Sequence, residues 1–464
     1  MNFLLDEILH ISEEKTTMKM PEKPPSLTDF ENILKHKQIG LEKLFNARVD
    51  DSQYLSYDDT KYRPLPDSVK SIGGDRQTWW ILIMLGRMSR FQDLPLTAAN
   101  GEPFKFFIDN TDSNLLHEMD LNGGGMLGVD EIVPNEKERN KYFVSSLIEE
   151  SFSSSFMEGA VSTRDLAKKM IAENRKPQTK GERMILNNFE TMQKLSEWKS
   201  QPLSPELICT IHAQIADGTL DDSKLGKFRT QADRDVVLAD DQGNVYHTPC
   251  PCEKISEKIE ELCRFANGEN SGGNFIHPVV KAIILHFVLA YIHPFPDGNG
   301  RTARTLFYWY LLKNNYWIAK FISISKIILE SGNRYYLSFL NTERDYNDLN
   351  YFIKFQLEVF GRAIKAFHEY IARKQKELSV CAQNNEVFEK LNDRESALCL
   401  KIVKNPIEKF ETTIEAYAEL NGIVWETARR DLKHLCDEKI LARRKSGRTY
   451  VFSPTKTFLE KISR

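Results

Sequence analysis

The chain has 464 residues, a formal net charge of -3 and a hydrophobic share of 41%. This length predicts about two to four domains, and the near-neutral charge excludes a protein that coats nucleic acid over its whole surface. The seven cysteines lack the spacing of a metal site, which indicates reduced thiols in a cytoplasmic protein. The N-terminus has no signal-peptide charge pattern and the longest apolar run is too short to span a bilayer, so we expect no membrane partner.

The first hundred residues give few chemical signals. Residues up to about Asp50 are charged and include three prolines between positions 21 and 25, which predicts an irregular arm. The run from Arg76 to Arg90 predicts a helix. Its Trp79 and Trp80 lack interleaved basic residues, so we interpret them as core residues and not as platforms for stacked bases.

Acidic residues and glycines follow, from Asp109 to Asp112 and from Asp120 to Gly125. Such a composition occurs in calcium loops, but these carboxylates lack the alternating spacing of an EF-hand and its final bidentate glutamate. We therefore expect a turn-rich connector.

The run from Tyr142 to Ile171 predicts a pair of helices with a serine-rich stretch, Ser153 to Ser155, in the middle. Gly159 would end the first helix in the left-handed conformation, which places Glu158 in the last turn. The helix dipole disfavours a carboxylate at that end unless a cation meets it.

A β-hairpin is predicted next, because two short runs with strand character surround the turn residues Asp241 to Asn244. The first run contains Val236, Val237, Leu238 and Ala239, and the second contains Val245, Tyr246 and His247. His247 precedes Thr248-Pro249 at the exit of the hairpin, and we interpret it as structural. His286, within the next apolar helix, is interpreted as a core histidine.

The most informative stretch runs from His293 to Arg304 and reads His-Pro-Phe-Pro-Asp-Gly-Asn-Gly-Arg-Thr-Ala-Arg. It separates two apolar runs, and its prolines end the first helix. Gly298 and Gly300 are expected to adopt positive φ, and Asn299 tolerates such a turn. A Gly-Asn-Gly turn that opens a helix directs several backbone N–H groups and the positive end of the dipole at one spot, which predicts a phosphate site.

Groups that can do chemistry surround this site. His293 can accept a proton near neutral pH, and Asp297 can hold Mg²⁺. Arg301 and Arg304 lie one helical turn apart. A base, a metal ligand and an anion site together predict phosphoryl or nucleotidyl transfer.

These residues resemble the signature of the Fic family, His-Pro-Phe-x-Asp/Glu-Gly-Asn-Gly-Arg-x-x-Arg, at every fixed position. The resemblance implies a protein adenylyltransferase that moves AMP from ATP and Mg²⁺ to a protein hydroxyl. It implies that His293 is the base and that Asp297 holds Mg²⁺. The implied phosphate ligands are Gly298, Asn299, Gly300, Arg301 and Arg304, of which Arg304 would bind the γ-phosphate.

The resemblance extends to other segments. Ser154, Glu158 and Gly159 match the family's inhibitory motif Ser/Thr-x-x-x-Glu-Gly/Asn, whose glutamate pairs with the second motif arginine, here Arg304, and blocks productive ATP binding. The hairpin at Val236, Val237, Leu238 and Ala239 would be the flap that docks the target. Of the pair Tyr335-Tyr336, one tyrosine would line the adenine side of the pocket.

The last eighty or so residues predict a separate module. A helix over Ala416–Leu420, a turn at Asn421-Gly422 and a helix over Val424–Leu435 precede two strands that flank a basic run, which is typical of a winged helix-turn-helix. Its cations favour contact with DNA, although interspersed acidic residues leave protein docking open as an alternative.

The predicted fold is mainly α-helical, with a Fic/Fido helical core, a β-hairpin flap and a C-terminal winged helix. We expect an N-terminal region at 1–140, an inhibitory-helix region at 141–200, the core at 201–372 and the winged helix at 387–464. A hydrolase that removes AMP from a modified protein and a nucleotide-sensing transcriptional regulator remain alternative functions. Partners would be a target protein and the chain itself, while DNA and a homodimer are left open.

Overall fold

The computed structural model describes residues 19–125, 136–233, 238–239, 245–269, 275–383, 390–404, 410–447 and 449–462. The fold is mainly α-helical, as predicted, and its strands form short antiparallel pairs in this part of the chain. Two units are distinguished, Met1–Phe367 and His368–Arg464.

The first unit contains most of the helices. They are α1 (Leu27–His36), α2 (Leu41–Asn46), α3 (Asp67–Ser71), α4 (Arg76–Met88), α5 (Asn110–Gly123), α6 (Glu136–Met157), α7 (Arg164–Ala172), α8 (Lys180–Trp198), α9 (Pro205–Ala216), α10 (Ile255–Asn267), α11 (Pro278–Ile292), α12 (Asn299–Lys313), α13 (Ile324–Glu330), α14 (Arg334–Arg344) and α15 (Asn350–Gln383), the last of which crosses the boundary between units. Its strand pairs are β1 (Gln92–Thr97) with β2 (Pro103–Phe106) and β3 (Leu238–Ala239) with β4 (Val245–His247).

Helix α11 lies at the centre of this unit. Its sequence is apolar on every face, and nearly all of its residues are buried. It starts at Pro278, which fits the first helical position because its missing N–H would have no partner there. The ring of His277 accepts a hydrogen bond from the Val279 N–H and caps the helix start. The buried α11 therefore delivers its last residue to a fixed place in the core.

The N-terminal region is more regular than expected. Residues 19–26, with the three prolines, form neither helix nor strand, as predicted, and residues 1–18 of the predicted arm lie outside the described residues. The residues that follow form α1 and α2, and Ser26 caps α1 through a capping box with Asp29. The core interpretation of the two tryptophans is confirmed, since Trp79 is 4% exposed and Trp80 is fully buried.

The predicted turn-rich connector is wrong, because residues 110–123 form α5. Asp109 accepts a hydrogen bond from the Asp112 N–H at 2.9 Å, and Asp112 accepts one from the Asp109 N–H at 3.1 Å. The acidic pair is thus a helix cap, and Lys354 pairs with both carboxylates at 2.7 Å. Gly123 is needed for space, since a Cβ there would overlap the Ile318 side chain.

A buried ionic cluster joins the N-terminal region to the start of α15. The fully buried Arg87 side chain donates to both carboxylate oxygens of Asp51 at 2.7 Å and to the Tyr351 hydroxyl at 2.8 Å. The carboxylates of Asp345 and Asp348 lie 3.8 Å from the same guanidinium. Burial, followed by the charge of Asp348, raises the pKa of Asp345 to about 7, so this carboxyl is substantially protonated at neutral pH.

In the described part of the chain, every helix is too short or too polar to cross a lipid bilayer.

The second unit contains α16 (Asp393–Lys404), α17 (Ile414–Asn421), α18 (Trp425–Asp437), α19 (Lys456–Ile462), β5 (Leu441–Ser446) and β6 (Thr449–Pro454). Gly422 is left-handed (φ 60°) and ends α17, so the chain turns at once into α18. Strands β5 and β6 pair antiparallel, and the unit has its own apolar core. Helix, turn, helix and hairpin follow in the predicted order, and the winged-helix assignment stays a prediction.

The ionic cluster yields a test of which of its charges the fold requires. Arg87→Leu should lower the free energy of unfolding by about 3–5 kcal/mol, because it leaves buried carboxylates without a cation. Asp345→Asn should cost less than about 1 kcal/mol, because it replaces a carboxyl that already holds a proton much of the time. Urea unfolding at pH 7 measures both. Equal costs would show that Asp345 carries its full charge in the folded protein.

Candidate active site

The site is built on the loop that connects α11 to α12. His293 ends α11 in a left-handed conformation (φ 51°, ψ 57°), and Gly298 precedes α12 in another (φ 82°). Asn299 closes the loop, since its side chain accepts from the Phe295 N–H at 2.8 Å and donates to the Phe295 carbonyl at 2.7 Å. The positive φ expected at Gly298 is confirmed.

The positive φ expected at Gly300 is wrong, because Gly300 and Asn299 lie within the first turn of α12. Gly300 is required for a different reason. A Cβ there would overlap the Glu158 carboxylate and would stand 3.0 Å from Arg304 Nη1. The glycine therefore allows a carboxylate to lie directly against the start of the helix.

The start of α12 has the features of an anion site. Gly298, at the N-cap, has no side chain to cap the first N–H groups, and these have no capping side chain among the described residues, so they remain available to a ligand. The fully buried Arg301 side chain lies beneath them, and its Nη1 donates to the Ile215 carbonyl at 3.4 Å. Its Nε and Nη2 have no hydrogen-bond partner among the described residues. A buried cation with free donors is suited to bind phosphate oxygens.

Asp297 stands at the edge of this anion site. Its Oδ1 accepts from the Gly298 N–H at 2.6 Å and lies 3.7 Å from Arg301 Nη2. The side chain is 41% exposed, so its other oxygen is open to a ligand. A single carboxylate oxygen suits Mg²⁺, which usually binds one or two carboxylates together with phosphate oxygens and water. Among the described residues, His, Cys, Asp and Glu side chains do not form a cluster of three or more that could hold a metal ion alone.

His293 is positioned as a neutral base. Its Nδ1 lies 3.3 Å from the Ala290 carbonyl, an acceptor, so Nδ1 carries the proton and Nε2 has a free lone pair. Burial, reinforced by the nearby His247, lowers the pKa of His293 to about 4, although the Glu158 charge acts in the opposite direction. The imidazole is therefore unprotonated at neutral pH.

Residues outside the motif hold the carbonyl groups of the loop. His212 on α9 stacks on Phe295 with ring centroids 3.8 Å apart, and its Nε2 lies 2.9 Å from the Asp297 carbonyl. The Gly226 N–H donates to His212 Nδ1, so Nε2 is the protonated nitrogen that donates to Asp297. Arg229 Nε donates to the His293 carbonyl at 2.8 Å.

His247 completes this set at the end of α11. Its Nε2 lies 2.8 Å from the Tyr291 carbonyl, and its Nδ1 lies 2.9 Å from Glu343. Sequence reasoning interpreted His247 as structural and gave His212 and Arg229 no role. The signal that could have found Arg229 is a lone arginine beside the glycine turn that leads into the hairpin.

Arg304 is buried, and its guanidinium donates hydrogen bonds to the C-terminal end of α6 and to the turn that follows it. Its Nε donates to Ser154 Oγ, and its Nη2 donates to the Ser154 carbonyl and to Glu158 Oε1, each at 2.9 Å. Burial alone would lower the pKa of Arg304, but the charge of Glu158 and the hydrogen bond to it raise the pKa above its ordinary value. Helix α6 ends at Met157, so Glu158 lies in the turn just beyond the helix and not in its last turn as predicted, and the left-handed Gly159 (φ 86°) follows it.

A second carboxylate anchors α6 further upstream. Glu150 is 2% exposed and accepts hydrogen bonds from the Tyr308 hydroxyl at 2.8 Å, the Ser323 hydroxyl at 2.9 Å and the Ser325 N–H at 3.0 Å. The Ser325 hydroxyl donates to its other oxygen. This network fixes the middle of α6 to α12 and α13, so the position of Glu158 follows from it.

A cleft of about 420 Å³ opens above these groups, and its lining includes Glu158, His293, Gly300 and Arg304. One wall has the aromatic residues Tyr335, Tyr336 and Phe339. The Tyr335 hydroxyl lies 2.9 Å from Nε2 of the buried His286, which confirms that His286 is a core residue.

The predicted hairpin is present where the chain is described. Leu238 pairs with His247 and Ala239 pairs with Val245, antiparallel. Val236 and Val237, also predicted for the flap, lie outside the described residues. The exit of the hairpin reaches the cleft, since Tyr246 and His247 line it.

Residues 202–311 match the Fic/DOC family model. The Protein adenylyltransferase Fic of Nematostella vectensis is 26% identical over 170 residues, which is 36% of this chain and 35% of the relative. The Protein adenylyltransferase fic-1 of Caenorhabditis elegans is 35% identical over 69 residues, or 15% of this chain and 13% of the relative. The chain thus matches about a third or less of the length of these curated relatives.

Among solved structures, a Fic family protein from Desulfovibrio desulfuricans G20 aligns with 75% of this chain and 97% of its own, at 17% identity and a TM-score of 0.48.

The contact between Gly300 and Glu158 gives a thermodynamic test. Gly300→Ala should lower the free energy of unfolding by about 1–3 kcal/mol, because the new methyl group pushes the carboxylate off the buried Arg304. In a Glu158→Gly background the same change should cost at least about 1 kcal/mol less, since the space is then empty.

Urea unfolding of the four proteins measures this coupling. Gly361→Ala is the matched helical control, because its added Cβ would stand 3.7 Å from Met119 Cε, and its cost should be the same in both backgrounds. Equal costs of Gly300→Ala with and without Glu158 would contradict the described contact.

Proposed function

Because residues 202–311 form a Fic/DOC family domain, we propose that this chain is a protein adenylyltransferase. It would transfer AMP from ATP to a Ser, Thr or Tyr hydroxyl of a target protein. The observation that carries the proposal is the short loop that brings an unprotonated imidazole beside an uncapped helix N-terminus with a buried arginine beneath it. The relatives named protein adenylyltransferase support it.

His293 would act as the general base. Its free Nε2 accepts the proton of the target hydroxyl while the hydroxyl oxygen forms a bond to the α-phosphorus of ATP. The bond from that phosphorus to the bridging oxygen breaks, and pyrophosphate leaves with the electron pair. The Nδ1 contact with Ala290 supports this role because it fixes the tautomer that exposes Nε2.

The phosphates would bind at the start of α12. Backbone N–H groups of Asn299 and Gly300 and the free donors of Arg301 are suited to the α- and β-phosphates, which carry the charge that shifts during transfer. The Gly298 N–H would join them if a bound phosphate took the place of Asp297 Oδ1, to which it now donates. Arg304 would bind the γ-phosphate once Glu158 leaves it. The open oxygen of Asp297 would hold Mg²⁺, which neutralises phosphate charge when it is bound.

The walls of the cleft suggest where the remaining groups bind. Tyr335 and Tyr336 offer aromatic faces for the adenine. The hairpin edge formed by Leu238 and Ala239 is suited to dock an extended segment of the target by strand addition. Val236 and Val237 keep their predicted part in this docking. A segment of the same chain would serve equally, which makes self-modification part of the proposal.

Glu158 would hold the protein in an inhibited state. Its carboxylate occupies the arginine that the γ-phosphate needs and lies against Gly300 at the anion site. ATP and Glu158 therefore compete for one cation. The same carboxylate could orient a water for removal of AMP, and its place in the cleft keeps that reverse reaction as the second candidate.

The remaining parts of the proposal concern location and other partners. Cys209, Cys250, Cys252, Cys263 and Cys436 form no disulfide bond with the described residues, which supports a cytoplasmic location. The exposed Arg430, Lys433 and Lys445 of the second unit support contact with DNA phosphates. Measurement of the oligomeric state in solution tests whether the chain forms a homodimer.

The competition for Arg304 predicts how labelling responds to substitution. Glu158→Gly should raise label transfer from α-³²P-ATP to the chain itself or to lysate proteins, because it frees the arginine. Arg304→Ala should not raise it, since the γ-phosphate then lacks its ligand. Adding His293→Ala to Glu158→Gly should reduce labelling by about 10²–10⁴-fold. Equal labelling by wild type and Glu158→Gly would contradict the inhibition, and labelling that survives without His293 would contradict the chemistry.

The lowered pKa of His293 predicts a pH profile. In Glu158→Gly the transfer rate should stay flat from pH 8 to pH 6, because a base with a pKa of about 4 remains unprotonated throughout. A histidine with an ordinary pKa of about 6.5 would lose roughly three-quarters of its active form at pH 6. A fall of that size, with ATP binding unchanged, would contradict the assignment.

The same lowered pKa of His293 determines the direction in which the stability of the fold changes with pH. Between about pH 6.5 and pH 4 the unfolded chain binds a proton at His293 that the folded chain does not. The contribution of this residue to stability is therefore fully present above pH 6.5 and is lost as the pH falls towards 4.

A further inference from the structure

Arg229 occupies an unusual place between the hairpin and the catalytic loop. It lies nine positions before Leu238, the first described residue of the hairpin, is 6% exposed, and belongs to neither the motif nor the lining of the cleft. Its backbone N–H donates to the Pro294 carbonyl at 2.8 Å, and its Nε donates to the His293 carbonyl at 2.8 Å. Two successive carbonyls at the start of the loop therefore depend on this single residue.

The rest of its guanidinium reaches the other end of the hairpin. Nη2 donates to the Cys250 carbonyl, and Nη1 contacts Cys252 Sγ at 3.1 Å. Both cysteines follow the second hairpin strand, so Arg229 links the exit of the hairpin to His293. Among the described residues no carboxylate lies within ion-pair distance of it. A buried cation that bonds only to neutral groups gains little Coulomb energy. The hydrogen bonds of Arg229 therefore matter more for the positions of the groups that they hold than for the stability of the fold.

The backbone of His293 needs such support. A left-handed conformation costs a non-glycine residue about 1–2 kcal/mol, so the loop keeps it only where neighbouring contacts determine it. The His293 N–H bonds back to the Leu289 carbonyl at 3.1 Å, which fixes one side of the residue. The Arg229 bond to the His293 carbonyl fixes the other side, and together they set the direction of the imidazole.

We propose that Arg229 is a positioning residue that holds His293 in its left-handed conformation and couples this conformation to the segment that leaves the flap hairpin. The inference rests on the proposed function, because it concerns the base of that reaction. Arg229 itself touches no reacting atom.

The test uses the full chain in the Glu158→Gly background, with Arg229→Gln, Arg229→Lys and Cys252→Ala. Arg229→Gln should reduce kcat about 100-fold, since a misplacement of about 1 Å has that effect, while the KM for ATP stays within about twofold. Arg229→Lys keeps one donor and should recover about tenfold of the loss. Cys252→Ala removes only the Nη1 contact and should change kcat by less than about twofold.

A readout independent of activity accompanies the kinetics. In protein labelled with ¹³C at histidine Cε1, the NMR signal of His293 is assigned by its absence in His293→Ala. It should shift in Arg229→Gln, shift less in Arg229→Lys and stay in place in Cys252→Ala. If Arg229→Gln does not fold, the lysine variant alone decides by the same two measurements.

The outcomes separate the two ideas. If the parent protein transfers no label, the proposed function fails, and the histidine signal still decides the positioning role. An unmoved His293 signal in a folded Arg229 variant would overturn the positioning role. So would a kcat per folded molecule equal to that of the parent, which would make Arg229 a stabilising residue only.

Discussion

A buried guanidinium must keep an anionic or strongly polar partner, and this requirement at Arg304 governs the cleft. Ser154 on α6 and Glu158, just beyond the end of this helix, meet it in the described state. Removal of one partner from a buried charge pair costs about 3–5 kcal/mol, so a neutral ligand could not displace Glu158 at an acceptable energy. An anionic group such as a phosphate can, because it restores the charge balance as it enters. The buried charge of Arg304 therefore selects an anionic ligand.

The parts of the structure that follow from local rules could be predicted from the sequence. Proline and glycine spacing indicated a loop between two buried helices with a left-handed residue at Gly298, and the two short runs of strand character around Asp241 to Asn244 indicated the hairpin. Local rules failed where two of them competed. The acidic residues at Asp109 and the later glycines suggested turns. The carboxylate of Asp112, three positions later, instead completes a capping box with Asp109 and starts a helix.

Other features were beyond sequence reasoning because their partners are distant along the chain. Gly300 was expected to serve backbone conformation, but its missing side chain makes room for Glu158, 142 positions earlier. Arg229 and His212 reach the loop across 64 and 85 positions, and Glu150 reaches Tyr308 across 158. No periodicity or local spacing encodes such contacts. Only the fold brings the groups together.

The Glu150 anchor has a consequence for the timing of any release. It fixes α6 about 12 Å upstream of Glu158, so freeing Glu158 requires only the last turns to fray, while the rest of the helix stays packed. A helix end frays and re-forms within about a microsecond, whereas a typical turnover takes about 0.1 s. The frayed and closed forms would thus exchange many times in every catalytic cycle. The residual transfer activity of the inhibited protein would then depend on the fraction of molecules with a frayed helix end at equilibrium. It would not depend on how fast the helix end opens.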